Sequence, residues 1–265
     1  MSKMKKNPLI YITNDDGPDT IGLKKLIKTV NRITNNYIVV VPESNRSGYG
    51  HSITISKPIR LNKINDNFYT CSGTPTDCVM LGLFHILNNV KPDLLISGIN
   101  MGENLADDVT YSGTVCAALE GALRDIKSIA LSKIIPKDKN FDDWSGIDKY
   151  LKEIILNIIN NNTNNNHFFN INFPNISSKS ILDIKVTNLS RRKPKGNFLI
   201  RKDSKNIPYF WLTTERYSSN IHKIDSDIWA VDNNYISISP LNTSMSEIKN
   251  LSIYKEKFYK NKRSR

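Results

Sequence analysis

The sequence has few cysteines and no long apolar stretch, which excludes two broad classes of protein. None of its apolar runs approaches the roughly 20 residues that a membrane helix needs, and the basic residues 1–7 precede a short strand-like segment instead of a signal-peptide core. The three cysteines, an odd number without a CxxC pair, fit neither a disulfide framework nor a zinc ribbon. They are Cys71, Cys78 and Cys116. We therefore expect a soluble, cytoplasmic protein with reduced, mostly buried thiols and no membrane partner.

The histidines are also few and lack the spacing of metal ligands. There are four of them, without an HxH or HExxH pattern, namely His51, His85, His167 and His222. Zinc bound by nitrogen and sulfur is therefore not expected, and each histidine is interpreted as structural or exposed. His51 is the exception to watch, because it lies in a loop rich in Ser and Gly, where an imidazole could protonate a leaving group.

An excess of positive charge leaves one alternative function open. The formal net charge is +12, and a concentrated basic surface favours binding of nucleic acid. The excess is spread along the chain, however, with local runs at residues 3–6, 191–195 and 255–265. The first and last of these resemble solvated tails. A basic nucleic-acid-binding protein is therefore the alternative hypothesis, and nucleic acid is not the expected partner.

The first 182 residues alternate between strand-like and helix-like segments. Apolar, β-branched runs predict strands at residues 37–41, 53–55, 59–61, 68–71, 94–97, 129–131 and 168–173. Helical spacing predicts helices at residues 21–30, 112–123 and 147–159. The GTPTDCV motif predicts a further helix with Thr76 or Asp77 as its N-cap. This alternation favours a mostly parallel sheet flanked by helices, and we assign residues 1–182 to one α/β catalytic domain.

After about Leu182 the pattern changes to strands joined by polar turns. The segments interpreted as strands are IKVTNL, NFLIRK, PYFWLTT, DIWAV and YISISPL. Residues 183–265 are thus predicted to form a β-rich arm that ends in a helix at residues 245–259. The arm carries a high density of aromatic residues, namely Tyr209, Phe210, Trp211 and Trp229. Packing within one subunit and an oligomer contact both explain that density, and the pattern alone does not choose between them.

The segment LIYITNDDGP is the most informative part of the chain. Its apolar run ends in two adjacent carboxylates, Asp15 and Asp16, followed by Gly17. Neighbouring carboxylates repel each other unless a cation or several donors keep both ionised, and a hard divalent cation does this best. A plain Asp-Gly hairpin turn is the alternative. Pro18 and the helical spacing after it favour a strand, a tight loop and a helix instead.

Further oxygen donors follow two other predicted strands. Ser47 lies in the Ser/Gly-rich loop VPESNRSGYGHS, and Asn100 lies in the segment LLISGIN. Because open α/β sheets bind ligands beyond the carboxyl ends of their strands, we expect these side chains to meet Asp15 and Asp16. Carboxylate, hydroxyl and amide oxygens suit magnesium, manganese or calcium better than a soft metal.

The TYSGTV segment predicts an anion site. It places Ser112, Gly113 and Thr114 where a loop turns into a helix, so unpaired N–H groups and the positive end of the helix dipole would face a ligand. The alternative is that Ser112 only caps the helix. A candidate anion site beside a candidate cation site is, however, the arrangement that phosphoryl-transfer enzymes use.

A set of longer motifs covers most of the chain. In order they are TNDDG, NRSGYGHSIT, GTPTDCV, KPDLLISGINMGENLADDVTYSGTVCAALEG, NINFP and YISISPL. Together they resemble the SurE family of survival-protein phosphatases, which act on nucleoside monophosphates. The resemblance implies a Rossmann-like α/β fold and a metal-dependent 5'-nucleotidase, often with activity on 3'-nucleotides and short polyphosphate. A nucleic-acid-binding protein without phosphatase activity stays the alternative.

The resemblance also implies roles for individual residues. One divalent cation per subunit, Mg²⁺ or Mn²⁺, would be bound by Asp15, Asp16, Ser47 and Asn100. Asp15 and Asp16 would also be the catalytic residues. The sequence leaves direct attack by water and a covalent aspartyl-phosphate as alternative routes.

The phosphate group and the assembly are covered by the same resemblance. Phosphate would lie at Ser112, Gly113 and Thr114, with Asn104 nearby. Homodimers or homotetramers formed by exchange of C-terminal elements are implied as well, which favours the oligomer interpretation of the aromatic arm. Residues 193–224 are the part of the chain least similar to the family pattern.

Overall fold

A computed structural model describes residues 5–135, 142–161, 167–192, 195–215, 223–246 and 250–259. His222 and parts of the three basic runs lie outside these ranges. The strands are β1 (Ile10–Thr13), β2 (Tyr37–Pro42), β3 (Leu61–Asn65), β4 (Phe68–Cys71), β5 (Leu94–Met101), β6 (Ser128–Lys133), β7 (His167–Phe173), β8 (Ile184–Val186), β9 (Lys195–Lys202), β10 (Pro208–Glu215) and β11 (Ile236–Asn242). The helices are α1 (Ile21–Val30), α2 (Pro75–Leu81), α3 (Gly113–Ala122), α4 (Ser145–Asn160), α5 (Asp227–Asp232) and α6 (Leu251–Tyr259).

Nine strands form one sheet in the order β3-β4-β2-β1-β5-β6-β7-β11-β8. The pairs β3–β4 and β7–β11 are antiparallel, and the other neighbours run parallel. The predicted mostly parallel sheet is therefore confirmed. β8 and β11 join this sheet although they follow the proposed boundary at residue 182, and the boundary itself stays a prediction.

Helices cover both faces of the sheet. Ile10 and Ile12 of β1 pack in a core with residues of α1 and α4, whereas Tyr11 packs with residues of α2 and α3. This alternation follows from the two-residue period of a strand. The hydroxyl of Tyr11 donates to the carbonyl of Cys78 at 2.7 Å. All three cysteines are free and buried.

Helix α1 fixes the loop that follows β1. The Thr20 hydroxyl accepts the N–H of Leu23 as an N-cap. Leu23 and Leu26 lie on one face of the helix and are fully buried. A β-carbon at Gly22 would lie 2.0 Å from the carbonyl oxygen of Ile99. Helix α1 therefore packs directly on the backbone of β5, and only glycine permits this approach.

Two short strands predicted from the sequence are absent from the region between β2 and β3. Residues 53–60 form no strand, and β3 begins only at Leu61. The backbone there bonds to the cap of α2 instead of a neighbouring strand. The N–H of Thr54 donates to Asp77 Oδ1 at 3.0 Å, and the Thr74 hydroxyl donates to the carbonyl of Ser52 at 2.7 Å.

Two helix boundaries also differ from the sequence prediction. The N-cap of α2 is Thr74, not Thr76 or Asp77, because Thr74 and Asp77 form a reciprocal capping box with Pro75 at the first helical position. The predicted helix at residues 245–259 is helical only over Leu251–Tyr259 in the described part of the chain, and residues 247–249 lie outside it.

The DIWAV segment is helix α5 and not the predicted strand. The Ser226 side chain accepts the N–H of Trp229 as an N-cap, and Asp227 lies in the first turn. Both features stabilise a helix start. The ring of Trp229 stacks on Tyr235 with 5.9 Å between centroids, so this aromatic residue packs within the chain.

Strands β9 and β10 form a separate two-stranded antiparallel hairpin. Large apolar side chains on both strands are exposed, among them Phe198, Ile200, Phe210, Trp211 and Leu212. Exposed apolar clusters of this kind are typical of interaction surfaces. Among the described residues, no helix is long and apolar enough to cross a membrane.

Candidate active site

The two adjacent aspartates lie directly after β1, at the carboxyl edge of the parallel strands. Asn14 closes the loop, because its side-chain amide donates to the carbonyl of Gly17 at 2.7 Å and accepts the Gly17 N–H at 3.2 Å. Gly17 has a φ of +95°, which favours glycine. The strand, tight loop and helix predicted from LIYITNDDGP are therefore present, and the hairpin alternative is wrong.

Asp15 contacts the first turn of α3. The hydroxyl of Thr114 donates to Asp15 Oδ1, although the two residues are 99 positions apart. A β-carbon at Gly113 would lie 2.9 Å from the Asp15 β-carbon and 3.0 Å from its Oδ2. Ser112 is the N-cap of α3, with its hydroxyl accepting the Val115 N–H at 3.1 Å. We call Ser112–Thr114 the cradle, and the structure brings it against Asp15.

Asp16 contacts the end of β5 and the loop after β2, which carry the other candidate oxygen donors. Its Oδ2 lies 3.4 Å from the backbone N–H of Met101, the neighbour of Asn100. Its Oδ1 accepts the side-chain amide of Asn45 at 3.3 Å. The side-chain N–H₂ of Asn100 donates to the carbonyl of Gly102 at 2.8 Å. This hydrogen bond does not involve the amide oxygen of Asn100.

Ser47 lies in the same loop as Asn45. Its backbone N–H donates to Asn45 Oδ1 at 2.9 Å, and its side chain is exposed. The N–H of the preceding Arg46 donates to the carbonyl of Asp15 at 2.7 Å. The loops after β1 and β2 and the end of β5 are thus joined at one edge of the sheet.

Burial disfavours simultaneous ionisation of Asp15 and Asp16. It raises the pKa of Asp15 to about 6; the hydrogen bond from Thr114 opposes this rise, and the nearby charge of Asp16 adds to it. Burial raises the pKa of Asp16 as well, and the Met101 N–H opposes the rise. A divalent cation between the carboxylates would favour both charged forms.

The donors present fit a hard cation. Two carboxylates, one hydroxyl and one amide oxygen are the ligand types that Mg²⁺ and Mn²⁺ prefer. Within the described ranges, no group of three or more His, Cys, Asp or Glu side chains is placed to hold a metal ion. A cation at this edge would therefore need the neutral oxygens of Ser47 and Asn100 beside the two aspartates.

Asn104 is held in a buried amide network. Its backbone N–H donates to Asn172 Oδ1 at 2.9 Å, and its side-chain amide donates to the Ser132 hydroxyl at 2.7 Å. Its carbonyl accepts the side-chain amides of Asn170 at 2.7 Å and Asn172 at 3.1 Å. These contacts anchor the loop before the cradle, and phosphate binding by Asn104 stays a prediction.

The amide network was not found from the sequence. Asn170 and Asn172 point to one side of the buried strand β7, and their alternation in the NIN segment was the available signal.

His51 contacts α3 through its imidazole. Its Nε2 lies 3.0 Å from Oε2 of Glu120. The other oxygen of Glu120 accepts Nε and Nη2 of Arg124 at 2.9 and 2.5 Å. The sequence analysis did not identify this partner of His51. The contact holds the loop after β2 on α3, and proton transfer by His51 stays a prediction.

Replacing Glu120 with Gln is expected to destabilise the protein at neutral pH. Burial alone would raise the pKa of Glu120, but the hydrogen bonds from His51 and Arg124 lower it below its usual value. A carboxylate with a lowered folded pKa stabilises above its unfolded pKa, and this contribution is lost as the pH falls through the folded value. We expect Glu120→Gln to reduce the free energy of unfolding by about 1–3 kcal/mol at pH 7.

Denaturant titrations at pH 7 and pH 4 measure this effect. The difference between the variant and the wild type should shrink below about pH 4.3, the usual pKa of Glu. Glu153→Gln on the exposed side of α4 is the matched control and should leave stability unchanged. Equal stability of Glu120→Gln and wild type at pH 7 would contradict the expectation.

Two exposed tyrosines flank the cradle. Tyr111 immediately precedes Ser112 and is 62% exposed, and Tyr49 is 48% exposed. The Gly50 N–H donates to the carbonyl of Tyr111 at 3.1 Å, so the loops that carry the two rings are in contact. The guanidinium of Arg46 lies 5.6 Å from the ring centre of Tyr49. Neither ring is among the site residues predicted from the sequence, and the only signal was a tyrosine next to the cradle motif.

Comparison with protein families gives one match over most of the chain. The model described as "Survival protein SurE" matches residues 10–196. That span contains all eight candidate site residues, from Asp15 to Thr114.

Individual relatives match over nearly their full length. A protein from Brucella anthropi named 5'-nucleotidase SurE is 37% identical over 239 residues, which cover 89% of this chain and 92% of the relative. A protein of the same name from Aquifex aeolicus is 37% identical over 246 residues, covering 91% and 95%. The crystal structure of the SurE protein from Aquifex aeolicus superposes with a TM-score of 0.82 at 35% identity, covering 95% of this chain and 100% of that one.

Proposed function

The chain belongs to the survival protein SurE family, and from this premise we propose that it is a 5'-nucleotidase that hydrolyses nucleoside 5'-monophosphates to nucleoside and phosphate. The relatives named 5'-nucleotidase SurE support the substrate class. The observation that carries the proposal is the contact between Asp15 and the first turn of α3. It joins a candidate cation site to a candidate anion site, an arrangement suited to phosphomonoester hydrolysis.

The proposal includes one divalent cation, Mg²⁺ or Mn²⁺, per subunit. Asp15, Asp16, Ser47 and Asn100 would hold it, since their loops meet at one edge of the sheet. When bound, such an ion supplies charge neutralisation and polarisation of a phosphate oxygen.

The chain's own residues would bind the phosphate and direct the nucleophile. The N–H groups at the start of α3 would hold the phosphate oxygens, which carry negative charge throughout the reaction. Thr114 orients the Asp15 carboxylate through its hydroxyl. Asp16, which is partly exposed, would orient a water molecule for in-line attack on phosphorus.

A covalent aspartyl-phosphate is the competing route. In that route an Asp15 oxygen attacks phosphorus, the nucleoside leaves, and water then hydrolyses the acyl phosphate. A single turnover in oxygen-18 water, followed by mass analysis of the peptide that holds Asp15, separates the two routes. Label in the carboxylate supports the covalent route. If the label is in phosphate alone, a phosphorylated Asp15 peptide trapped by rapid quenching supports the covalent route, and its absence supports direct attack.

The finer activity, location and assembly belong to the same proposal. Hydrolysis of 3'-nucleotides and short polyphosphate would use the same cradle. The buried free thiols are compatible with the reducing cytoplasm. The exposed apolar side chains of β9 and β10 support a homodimer or homotetramer.

A colorimetric phosphate assay with AMP and added manganese tests the proposal. Phosphate release by the wild type supports it. The rival, a basic nucleic-acid-binding protein without phosphatase activity, predicts no release and binding of nucleic acid that weakens steeply with salt.

Replacing Tyr111 with Ala is expected to lower kcat/KM for nucleotides but not for phosphate esters that lack a base. An exposed ring next to the phosphate site offers a surface on which a base can stack, and such stacking contributes about 1–3 kcal/mol. We expect kcat/KM for AMP to fall about tenfold, while kcat/KM for ribose 5-phosphate stays within about twofold. Tyr111→Phe keeps the ring and should behave as the wild type. An equal loss with both substrates would contradict base stacking.

A further inference from the structure

The segment that leads into the cradle has an unfavourable backbone conformation at Ala106. This residue has a φ of +52°, in a region that L-residues other than Gly, Asn and Asp rarely adopt. Ala106 begins a short 3₁₀ helix, Ala106–Thr110, which ends two residues before Ser112. The conformation at Ala106 therefore sets the direction from which the chain enters the cradle.

A buried carboxylate from the C-terminal part of the chain holds Ala106 in place. Oδ2 of Asp227 accepts the Ala106 N–H at 2.7 Å. Its Oδ1 accepts the N–H groups of Ser190 at 2.7 Å and Ile228 at 2.8 Å. Asp227 is fully buried. Three N–H donors thus satisfy this charge in the interior, and charge-assisted bonds of this kind are stronger than neutral ones.

A second contact joins the same segment to Arg192, which lies before the β9–β10 hairpin. The Arg192 N–H donates to Oδ2 of Asp107 at 2.8 Å, and its Nη1 donates to Oδ2 of Asp108 at 3.2 Å. Arg192 lies before β9 and Asp227 lies twelve residues after the end of β10. Chain segments on both sides of the hairpin are therefore bonded to residues 106–108, at the entrance of the cradle.

We propose that Asp227 is a positioning residue of the active site, which sets the cradle through Ala106 and couples it to the chain segments on either side of the hairpin. Asp107, through the backbone of Arg192, is the second contact in this coupling. The proposal rests on the proposed function, because the cradle is the phosphate site of that reaction. Asp227 itself touches no reacting group and acts only through the backbone that it holds.

Asp227→Asn tests the role with little change in shape. Asparagine replaces one acceptor oxygen with an N–H₂ group, which would face a backbone donor instead of accepting from it. We expect kcat/KM to fall at least about tenfold for AMP and ribose 5-phosphate alike, because the phosphate site and not the base site is displaced. The inhibition constant of inorganic phosphate should rise at least about fivefold.

The inhibition constant separates positioning from general destabilisation. Loss of folded protein lowers the apparent kcat but leaves the KM and the phosphate inhibition constant of the remaining enzyme unchanged. Hydrogen exchange of the amides at residues 106–114 is a second readout that needs no turnover, and it should become faster in Asp227→Asn.

Asp225→Asn is the matched control. It makes the same change of charge in the same segment, at an exposed residue whose φ of +69° also suits asparagine. Oδ1 of Asp225 lies 3.3 Å from Nζ of Lys185 at the surface. Kinetics, phosphate inhibition and exchange should match the wild type.

Three further outcomes test whether Asp227 positions the cradle. An unchanged phosphate inhibition constant and unchanged exchange in folded Asp227→Asn would overturn it. If Asp227→Asn does not fold, Asp107→Ala, which removes the acceptor of the Arg192 N–H at a partly exposed position, must show both changes, and their absence overturns the inference. If the wild type releases no phosphate, the proposed function fails, and the exchange measurement alone decides the positioning role.

Discussion

Replacing Asp16 with Asn is expected to lower kcat/KM for AMP by about 10²- to 10³-fold or more while the protein stays folded. The amide keeps the shape of the carboxylate but removes one negative charge, and a neutral oxygen is a weaker ligand for a hard dication. The side chain is only partly buried, and its partners in the fold are two N–H donors at 3.3 and 3.4 Å. The fold therefore does not depend on the charge.

Asp19→Asn is the matched control for this variant. It removes a carboxylate from the same loop at an exposed position, and its activity should equal that of the wild type. Steady-state kinetics with saturating manganese, together with circular dichroism, distinguish loss of catalysis from loss of structure. Activity of Asp16→Asn near the wild-type rate would rule out the proposed cation cluster.

Removal of divalent cations is expected to abolish turnover. Without a cation, an anionic substrate would meet two carboxylates whose burial already disfavours their charge. We expect dialysis against EDTA to reduce phosphate release to below about 1% and added Mn²⁺ or Mg²⁺ to restore it.

The chelation experiment needs a check on the fold and on the alternative routes. The far-ultraviolet circular dichroism spectrum should survive chelation, because the hydrophobic cores on the two faces of the sheet contain no candidate metal ligand. A rate retained after exhaustive dialysis would point to catalysis that needs no resident cation, and would exclude the cluster of Asp15, Asp16, Ser47 and Asn100.

Features set by local chemistry were predictable from the sequence. The apolar run before Asp15 predicts β1, and the small residues after Ser112 predict α3, because strand alternation and helix capping depend on neighbours in the chain. Since parallel strands share a carboxyl edge, the sequence also predicts that the loops of Asp16, Ser47 and Asn100 meet there.

Features set by distant residues were not predictable. The DIWAV run is apolar and short, and such a run fits a strand or a helix until its packing is known. Three contacts of the site join residues far apart in the chain. They are the hydrogen bonds of Thr114 with Asp15, of His51 with Glu120, and of Asp227 with the Ala106 N–H. No spacing rule in a single sequence reveals such pairs.

The burial of all three cysteines has a practical consequence for studying the assembly. Thiols without solvent access react slowly with maleimide reagents. A cysteine introduced at Phe198, on the exposed hairpin, would therefore accept a fluorescent dye ahead of the native thiols. Energy transfer between dyes on different copies would then report whether the hairpins associate in solution.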